Sequence, residues 1–540
     1  MLDRLDHALR AHPERPAVLT ATRTGATRTA ATRGQLVEMA DAFAAALYAR
    51  GLRAGDTVGV AVRPGPRALA VLLALWRLGL RGAVLDPGAG PDVLRARLAS
   101  ARPALVLADA AAQAVAGWAR PLARRAAGLE LPDLAGLGAP VATVGRRLPG
   151  CAPGLDRHAG RLGVPPRFTG DQDADAVIVF TSGTTSRPRA VVHTRASLAA
   201  GMETVSALFS PAPSPAPGKS WASPAAAEPV LGGTFFVLVP ALVRGAAVAL
   251  PARSPRVLAR QLARLAPRDT YLTPPQLRDA LRAGARFRGR VWTGSAPASA
   301  ELLGRVRESG ADEAWGVYAL TELFPAAAVE SREKTAHEGP GDLVGAPLPG
   351  VRAECDADGQ LLLTGPGAHR RYLGEDPDPW VRTGDRARLD GSGRIVLEGR
   401  AKDMVLRRAE NIYPGLYEPA LHVPGVELAL LVGIPADPGD RHGYGDERLV
   451  AVVQPCHGAD GPALRSALAG PLRRMGTAAP DALLFARIPL SGRSRKPDRA
   501  ATAALAAHRL GSASGTRNGT DTGSGSGSGS GSARNGAPRP

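Results

Sequence analysis

Residues 34–110 alternate between helical and strand-like hydrophobic patterns, and this alternation constrains the fold more than any other feature of the chain. Apolar residues recur at helical spacing in GQLVEMADAFAAALYARG, which ends at a glycine. A strand pattern follows in DTVGVAV, a buried-helix pattern in ALAVLLALWRLGL, and strand patterns again in AVLDPG and ARPALVLAD. Because such alternation is typical of a helix-covered parallel sheet, we expect an α/β fold with doubly wound, mostly parallel sheets.

The alternation continues to about residue 310, and the pattern changes after about residue 350. Strand patterns in AVIVF, AAVALP and TYLTP are separated by helical patterns such as SLAAGMETVSALF and VLARQLARLA, and the helical pattern ELLGRVRESG ends the series. After residue 350, VRAECDADGQLLLTGPG and RARLDGSGRIVLEGR resemble short antiparallel strands joined by DG and GSG turns. We therefore predict a large N-terminal domain over residues 1–400, with a β-rich subdomain after the parallel sheets.

A smaller unit is predicted to begin after Arg400. Strand patterns occur in KDMVLRR, VELALLVGI and RLVAVVQP, with a helix expected near GLYEPALHV. These patterns predict a small α+β C-terminal domain over residues 401–509. Residues 510–540 are rich in Gly and Ser without apolar periodicity, so we expect a disordered tail there.

Composition argues against several classes of protein. The formal charge of +18 is typical of nucleic-acid-binding proteins, but aromatic residues are only 4% and the arginines are spread along the whole chain. The chain has 63 arginines and only four lysines (219, 334, 402 and 496), which indicates a general bias rather than a nucleic-acid surface. Three distant cysteines and ten scattered histidines predict neither a disulfide framework nor a zinc site.

Neither a membrane span nor a secretory signal is apparent. No apolar run approaches the ~18–20 residues of a membrane helix. The N-terminal segment MLDRLDHALRAHPERP is charged and helical in pattern, without the apolar core of a signal peptide. We therefore expect a cytoplasmic enzyme.

The stretch FTSGTTSRPR follows a predicted buried strand and concentrates hydroxyl groups in a loop. Phosphate accepts hydrogen bonds on every oxygen, so Thr181, Ser182, Thr184 and Thr185, with backbone N–H groups and an arginine, suit a phosphate. The loop has one glycine, Gly183, and no lysine, so it is not a Walker loop. Taken alone, the loop has a Ser/Thr-rich surface turn as its less favoured alternative.

Five motifs in order resemble the adenylate-forming (AMP-binding) superfamily, which includes acyl-CoA synthetases, nonribosomal-peptide adenylation domains and luciferases. They are TSGTTSRPR (181–189), YALTE (318–322), TGD (383–385), GRAK (399–402) and a late lysine in SGRSRKPDR. The resemblance covers roughly residues 10–508. It implies ATP and Mg²⁺ as cofactors, a carboxylic acid as substrate, CoA as second substrate, and a mobile C-terminal domain.

The resemblance also implies a role for each motif. Thr181, Ser182, Gly183, Thr184 and Arg189 would bind the β- and γ-phosphates. Gly294 and Ser295 would lie along the adenine, and Tyr318 would stack on it. Thr321 would face the α-phosphate, and Asp385 with Arg400 would bind the ribose. Lys402 occupies the hinge position, and the implied catalytic residues are Thr185, Glu322, which would also hold Mg²⁺, and Lys496.

Elementary chemistry agrees with these roles. Mg²⁺ bound to a triphosphate requires only one or two protein carboxylates, which Glu322 supplies. Negative charge grows at the α-phosphorus as a carboxylate attacks it, so a cation such as Lys496 aimed there stabilises the transition state more than the ground state. Two of the four lysines occupy the two lysine positions of the family.

The sequence departs from the family pattern at four glycine positions. Ser186 and Ala190 lie in or beside the phosphate loop, Ala319 follows Tyr318, and Ala409 lies in RRAENIYP. Alanine and serine lack the backbone freedom of glycine. Because the family uses the last segment for thioester formation, Ala409 bears on whether CoA is a substrate.

The sequence leaves open what happens to the acyl-adenylate in the second step of the reaction. The first hypothesis is an acyl-CoA ligase, since a basic C-terminal domain suits a CoA phosphate; its arginines are Arg407, Arg408, Arg473, Arg474, Arg493 and Arg495. The second is a β-lactone synthetase acting on a 3-hydroxy acid, because residues 63–90 and 319–336 loosely resemble bacterial olefin-pathway enzymes. The third is an adenylation enzyme that loads an acyl-carrier protein. The non-enzymatic alternative is a degenerate adenylate-binding protein.

Overall fold

The computed structural model describes residues 1–86, 88, 90–127, 131–138, 140–155, 165–181, 189–209, 228–407, 410–435, 447–492 and 495–515. Strands and helices alternate over most of these ranges, so the predicted α/β class is confirmed. Within them, none of the helices combines the length and the apolar character that crossing a membrane requires.

The first part of the chain is built from short strands and longer helices. Its elements are α1 (Leu2–Ala11), β1 (Pro16–Ala21), β2 (Thr27–Thr32), α2 (Arg33–Ala49), β3 (Thr57–Ala61), α3 (Pro66–Leu78), β4 (Arg81–Val84), α4 (Pro91–Ala101), β5 (Leu105–Asp109), α5 (Ala110–Ala116), α6 (Arg120–Ala127), β6 (Val141–Val144), β7 (Asp175–Phe180), β8 (Ala190–Thr194) and α7 (Arg195–Leu208). Helix α7 starts directly after β8 because Thr194 caps it: the Ser197 N–H donates to Thr194 Oγ1 at 3.1 Å.

The second part continues the alternation and then becomes mostly β. Its elements are β9 (Val230–Leu231), α8 (Phe235–Val243), β10 (Val248–Ala249), α9 (Pro255–Leu265), β11 (Asp269–Tyr271), α10 (Pro274–Arg282), β12 (Arg290–Thr293), α11 (Ala300–Glu308), β13 (Glu313–Tyr318), β14 (Ala327–Glu330), α12 (Ser331–Thr335), β15 (Asp342–Pro347), β16 (Arg352–Cys355), β17 (Gln360–Thr364), β18 (Arg371–Tyr372), β19 (Val381–Leu389) and β20 (Ile395–Arg400).

These strands form two large sheets among the described residues. The seven-stranded sheet has the order β18-β8-β7-β4-β3-β5-β6 and is parallel from β7 to β6. The thirteen-stranded sheet has the order β2-β1-β10-β9-β11-β12-β13-β14-β15-β20-β19-β17-β16. It is parallel from β1 to β13 and antiparallel beyond β13, so the predicted β-rich subdomain extends a parallel sheet instead of standing apart from it.

The remaining elements form a small α+β unit. They are β21 (Val405–Arg407), β22 (Glu410–Ile412), β23 (Val426–Pro435), β24 (Glu447–Pro455), α13 (Gly461–Arg474), β25 (Ala482–Phe485), β26 (Leu490–Ser491), β27 (Lys496–Pro497) and α14 (Arg499–Gly515). Buried side chains lie on both faces of the β23–β24–β25 sheet, with α13 packed near one and α14 near the other. Arg400 is the last residue of the thirteen-stranded sheet.

Two predictions about this region are wrong in detail. The helix expected in GLYEPALHV is replaced by two short 3₁₀ turns, Pro414–Leu416 and Glu418–Leu421. Gly415 packs so closely on Gly399 that a Cβ on it would lie 2.5 Å from the Gly399 Cα, which holds the segment against β20. The tail predicted from residue 510 begins too early, since α14 continues to Gly515 and Leu510 packs against the core of the unit.

The fold brings several loops to one place. Strands β7, β12 and β13 each end immediately before a predicted site segment: Thr181 follows β7, Gly294 follows β12, and Ala319 follows β13. Ligands of parallel α/β sheets bind outside the carboxyl ends of the strands. The site is therefore expected beside the carboxyl ends of β7, β12 and β13.

Candidate active site

The hydroxyl-rich loop leaves and re-enters the seven-stranded sheet between β7 and β8. The Thr181 N–H donates to the Arg189 carbonyl oxygen at 3.0 Å, which closes the base of the loop. Ala190 is the first residue of β8 and has ordinary strand backbone, so the missing glycine is tolerated there. The loop residues Ser182, Gly183, Thr184, Thr185 and Ser186 lie outside the described residues. Their predicted phosphate contacts stay predictions.

Arg189, at the exit of the loop, is held by two contacts with residues in and after β18. Its guanidinium carbon lies 3.4 Å from the centroid of the Tyr372 ring, and its Nη2 is 3.0 Å from Glu375. Cation–π attraction and an ion pair both favour this placement. Arg189 therefore lies beside β18, and its predicted contact with the β- and γ-phosphates stays a prediction.

Tyr318, Asp385 and Arg400 form one hydrogen-bonded group, which we call the nucleotide wall. The Tyr318 hydroxyl donates to Asp385 Oδ2 at 2.6 Å, and Arg400 Nε lies 2.8 Å from Asp385 Oδ1. Asp385 and Arg400 are direct partners in the β19–β20 pair. Burial, and then the charge of Asp385, raises the pKa of Tyr318 well above its ordinary value, so the hydroxyl stays protonated. Each carboxylate oxygen keeps a lone pair for a ribose hydroxyl.

Thr321 and Glu322 follow β13 and are fixed by residues distant in sequence. His193 Nε2 donates to the Thr321 carbonyl oxygen at 2.7 Å, and the Tyr372 hydroxyl donates to Glu322 Oε1 at 2.9 Å. Burial lowers the pKa of His193, so the ring is neutral. Burial, and then Glu322, raises the pKa of Tyr372, so its hydroxyl remains a donor.

The surroundings of Glu322 fit a magnesium ion that arrives with ATP. Tyr372 orients Oε1, while Oε2 has no hydrogen-bond partner among the described residues. Within those residues, no cluster of three or more His, Cys, Asp or Glu side chains could hold a metal alone. A magnesium ion carried by a triphosphate requires only one or two protein carboxylates.

The segment after β12 contains a strained residue. Ser295 has a left-handed φ of +70°, and its hydroxyl lies 3.2 Å from Tyr271 Oη. A Cβ at Gly294 would lie 3.1 Å from the Val317 carbonyl oxygen, so this position has little room for a side chain. Left-handed non-glycine residues cluster at ligand sites. Gly294 and Ser295 both line the cleft where the adenine was predicted.

Strands β26 and β27 form the lysine hairpin (residues 490–492 and 495–497), and Lys496 lines the same cleft as the nucleotide wall. Arg495 Nη1 donates to Asp279 Oδ2 on α10 at 2.8 Å and docks the hairpin. The Lys496 side chain is exposed, but nearby protein atoms displace part of the water around its ammonium group. This desolvation lowers the pKa of Lys496. The charge of Arg400 lowers this pKa further, whereas Asp385 raises it. Lys496 is thus within electrostatic reach of the wall.

Lys402 lies in the 3₁₀ turn Ala401–Asp403, directly after the last strand of the large sheet. Its side chain is exposed and lines the cleft. The next residue, Asp403, forms an ion pair of 3.2 Å with Arg499, the first residue of α14. The turn therefore connects the two parts of the chain, while its role as a hinge stays a prediction.

Of the arginines that were expected to suit a CoA phosphate, the four that the structure describes are not all exposed on one surface. Arg407 is buried and paired with Asp481 inside the C-terminal unit, so the prediction that it suits a CoA phosphate is wrong. Arg495 is engaged in docking the lysine hairpin. Of the others, Arg473 and Arg474 are exposed in the last turn of α13, and Arg408 and Arg493 lie outside the described residues together with Ala409.

One cleft of about 3130 Å³ collects most of the predicted site residues. Its lining includes Thr181, Gly294, Ser295, Tyr318, Ala319, Thr321, Glu322, Asp385, Arg400, Lys402 and Lys496. Sequence reasoning missed Tyr372, His193 and Tyr271, which hold these residues in place. Their partners are 24 to 128 positions away in the chain, so no local motif marks them.

Comparison with known proteins gives a consistent result. Residues 5–373 match the family described as AMP-binding enzyme. The chain is 28% identical over 430 residues to a feruloyl-CoA synthase of Amycolatopsis sp, covering 75% of this chain and 81% of that protein. It is 27% identical over 487 residues to an olefin beta-lactone synthetase of Stenotrophomonas maltophilia (strain K279a), covering 80% and 83%.

The fold agrees with solved structures. The structure of the amide bond synthetase McbA from Marinactinospora thermotolerans superimposes with a TM-score of 0.70 at 22% identity, covering 93% of this chain and 99% of that chain. At this identity the likeness concerns the fold alone. The resemblance read from the motifs is thus confirmed, and olefin beta-lactone synthetases are among the relatives.

Proposed function

The chain belongs to the AMP-binding enzyme family and is an adenylate-forming ligase, and on that premise we propose that it is an acyl-CoA ligase. In the first step, a carboxylate oxygen of the acid attacks the α-phosphorus of ATP, and the bond to the β-phosphate oxygen breaks to release pyrophosphate. In the second step, the CoA thiolate attacks the acyl carbon, and AMP leaves with the bonding electrons. We place the reaction in the cytoplasm, where ATP and CoA are available.

The observation that supports the first step of this proposal most directly is the position of Lys496. The C-terminal unit delivers its ammonium to the cleft that contains Asp385, Arg400 and Glu322. A cation near the α-phosphate stabilises the negative charge that grows during the attack. Because lysine is so rare in this chain, its presence at this one place is informative.

Each of the remaining residues has a distinct task. The face of the Tyr318 ring supports the purine, and Asp385 accepts hydrogen bonds from the ribose hydroxyls. Glu322 would hold the magnesium that accompanies ATP, and the bound ion would neutralise phosphate charge. The loop from Thr181 to Thr185 supplies hydroxyl and N–H donors to the β- and γ-phosphates.

Apolar side chains form part of the cleft lining, which suits an apolar acid. The Phe236 ring centroid lies 4.0 Å from that of Phe324, and Leu198 and Met202 line the same region. Apolar surfaces of this kind bind hydrocarbon or aromatic groups through the hydrophobic effect. We therefore propose a fatty acid as the substrate, with Ala319 beside the entry of the acyl chain.

A β-lactone synthetase is the second candidate. The olefin beta-lactone synthetase match extends over 83% of that protein, and the loss of Arg407 and Arg495 as CoA contacts weakens the case for CoA. In this alternative, the 3-hydroxyl oxygen of the substrate attacks its own acyl carbon and AMP leaves. Loading of an acyl-carrier protein would use the same first step.

Acid-dependent exchange of pyrophosphate into ATP tests the common first step. Straight-chain, 3-hydroxy and aromatic acids are compared, and each active acid is then incubated with and without CoA. We expect exchange with straight-chain acids and acyl-CoA as the product. A lactone formed without CoA would replace the first candidate by the second. No exchange with any acid would favour a degenerate adenylate-binding protein.

A further inference from the structure

Strand β18 connects two sides of the site that lie far apart in the sequence. Its residues Arg371 and Tyr372 pair with Val192 and Val191 on β8, directly after the hydroxyl-rich loop. Just before the strand, the His369 N–H donates to the Glu322 carbonyl oxygen at 2.6 Å. The strand therefore binds the exit of the loop on one side and the backbone of Glu322 on the other.

Tyr372 extends this connection through its side chain. Its ring lies beneath the Arg189 guanidinium at 3.4 Å, and its hydroxyl donates to Glu322 Oε1 at 2.9 Å. The buried ring of His369 packs edge-on against it with centroids 4.8 Å apart. These three contacts fix both the ring and the hydroxyl direction.

We propose that Tyr372 is a positioning residue for the phosphate and magnesium end of the site. Its hydroxyl aims the Glu322 carboxylate so that Oε2 faces the cleft, and its ring fixes Arg189 and with it the exit of the hydroxyl-rich loop. Groups that orient a metal ligand from behind affect metal affinity strongly. The inference rests on the proposed function, because the role of Glu322 belongs to it.

The strand itself is secured independently of the Tyr372 hydroxyl. The Arg371 guanidinium donates to both oxygens of Asp175 at 2.9 and 2.8 Å, and Arg81 also reaches Asp175 at 3.0 Å. Removing one hydroxyl therefore leaves β18 in place. A substitution of Tyr372 by Phe isolates the hydroxyl, and a substitution by Leu removes the ring as well.

Binding of a fluorescent ATP analogue, titrated with Mg²⁺ and separately in EDTA, tests the proposal without relying on turnover. For Tyr372→Phe we expect unchanged affinity in EDTA and a roughly tenfold higher Mg²⁺ requirement, the lower end of what the loss of an orienting group causes. For Tyr372→Leu we expect, in addition, a loss of about two- to fivefold in EDTA, because Arg189 loses its aromatic platform.

The matched control is Tyr48→Phe. Arg53 lies over the Tyr48 ring at 3.9 Å, so the cation–π contact is similar, but Tyr48 packs on the core of the N-terminal part and contacts neither Glu322 nor Arg189 in any hydrogen bond or ring contact of the described residues. This variant is expected to keep both affinities. Thermal unfolding shows whether Tyr372→Leu is folded; if it is not, Tyr372→Phe alone decides.

Two results would overturn the inference while leaving the proposed function standing. One is a wild-type Mg²⁺ requirement in Tyr372→Phe. The other is an equal loss of affinity with and without Mg²⁺, which would show general damage to the site. A wild-type protein that binds no nucleotide would instead overturn the proposed function, and the inference with it.

Discussion

The nucleotide wall and the lysine hairpin lie in the same cleft but are held there in different ways. The wall is fixed internally, since Asp385 is buried and accepts hydrogen bonds from both Tyr318 and Arg400. The hairpin reaches the cleft from the other part of the chain and is docked by Arg495, whose side chain is 50% exposed in its pair with Asp279. Exposed ion pairs contribute little free energy. The wall is thus preorganised, whereas the hairpin itself is held by an exposed contact, and we infer that it can be released.

This difference suits a reaction with two chemical steps. A wall that needs no reorganisation can hold the same nucleotide through both steps. A weakly docked lysine can act in the first step and then withdraw, and motions of this kind set many turnover rates. The predictions below separate the two regions, beginning with the largest effect.

Lys496→Ala should reduce adenylation by about 10²–10³-fold, the cost of losing one donor that acts on the transition state. Formation of the thioester from a preformed acyl-adenylate should change much less, because the lysine has no task there. Pyrophosphate exchange and single-turnover thioester formation measure the two steps. Equal loss in both steps would remove Lys496 from the adenylation mechanism.

Lys402→Pro should abolish most overall turnover and spare adenylation. Proline fixes φ at this position and restricts the preceding residue, so the turn after Arg400 can no longer rearrange between steps. The comparison is between steady-state product formation and pyrophosphate exchange. Unchanged turnover would show that this turn is not the hinge.

Asp385→Asn should lower the free energy of unfolding by roughly 1–3 kcal/mol and weaken nucleotide binding, because Tyr318 or Arg400 loses its acceptor in a buried place. Denaturant unfolding and nucleotide titration measure both effects. Asp481→Asn is the matched control, since it removes the carboxylate of the buried pair with Arg407 away from the wall. It should lower stability alone. Nucleotide binding that survives in Asp385→Asn would contradict the wall as a preorganised site.

The pH dependence of adenylation should report the protonation of Lys496 on the hairpin. Desolvation and Arg400 lower the pKa of Lys496, and the reaction needs the charged ammonium, so the rate should fall on the alkaline side at a lower pH than for an ordinary lysine. In Lys496→Arg the cation stays charged, and this alkaline fall should disappear although the rate is lower. If the adenylation rate falls at the same alkaline pH in the wild type and in Lys496→Arg, the fall is caused by a group other than Lys496.

The sequence predicts the wall and the lysine better than it predicts what supports them. Tyr318, Asp385 and Lys496 lie in short motifs, and the strand–helix alternation correctly placed β7 ahead of the hydroxyl-rich loop. The Tyr372–Glu322 hydrogen bond spans 50 positions and depends on a two-residue edge strand that no periodicity reveals.

Short-range patterns also mislead where tertiary contacts decide. The GLYEPALHV segment has helical spacing, but Gly415 packs on Gly399 and the chain forms 3₁₀ turns instead. At the other end, Leu510 extends α14 into a segment whose Gly and Ser content predicted disorder, because its side chain reaches the core. In both places burial outweighs local propensity.

Arg495→Ala should have the smallest effect and is the most direct test of weak docking. An exposed ion pair contributes about 0.2–1 kcal/mol, so adenylation should slow by no more than about fivefold. Screening weakens such pairs, so the wild-type rate should approach that of the variant as salt rises. Arg95→Ala, which removes an exposed pair with Asp92 on α4, is the control and should leave the rate unchanged at every salt concentration. A large, salt-independent loss in Arg495→Ala would mean that the hairpin is held as firmly as the wall, and the contrast between the two regions would fail.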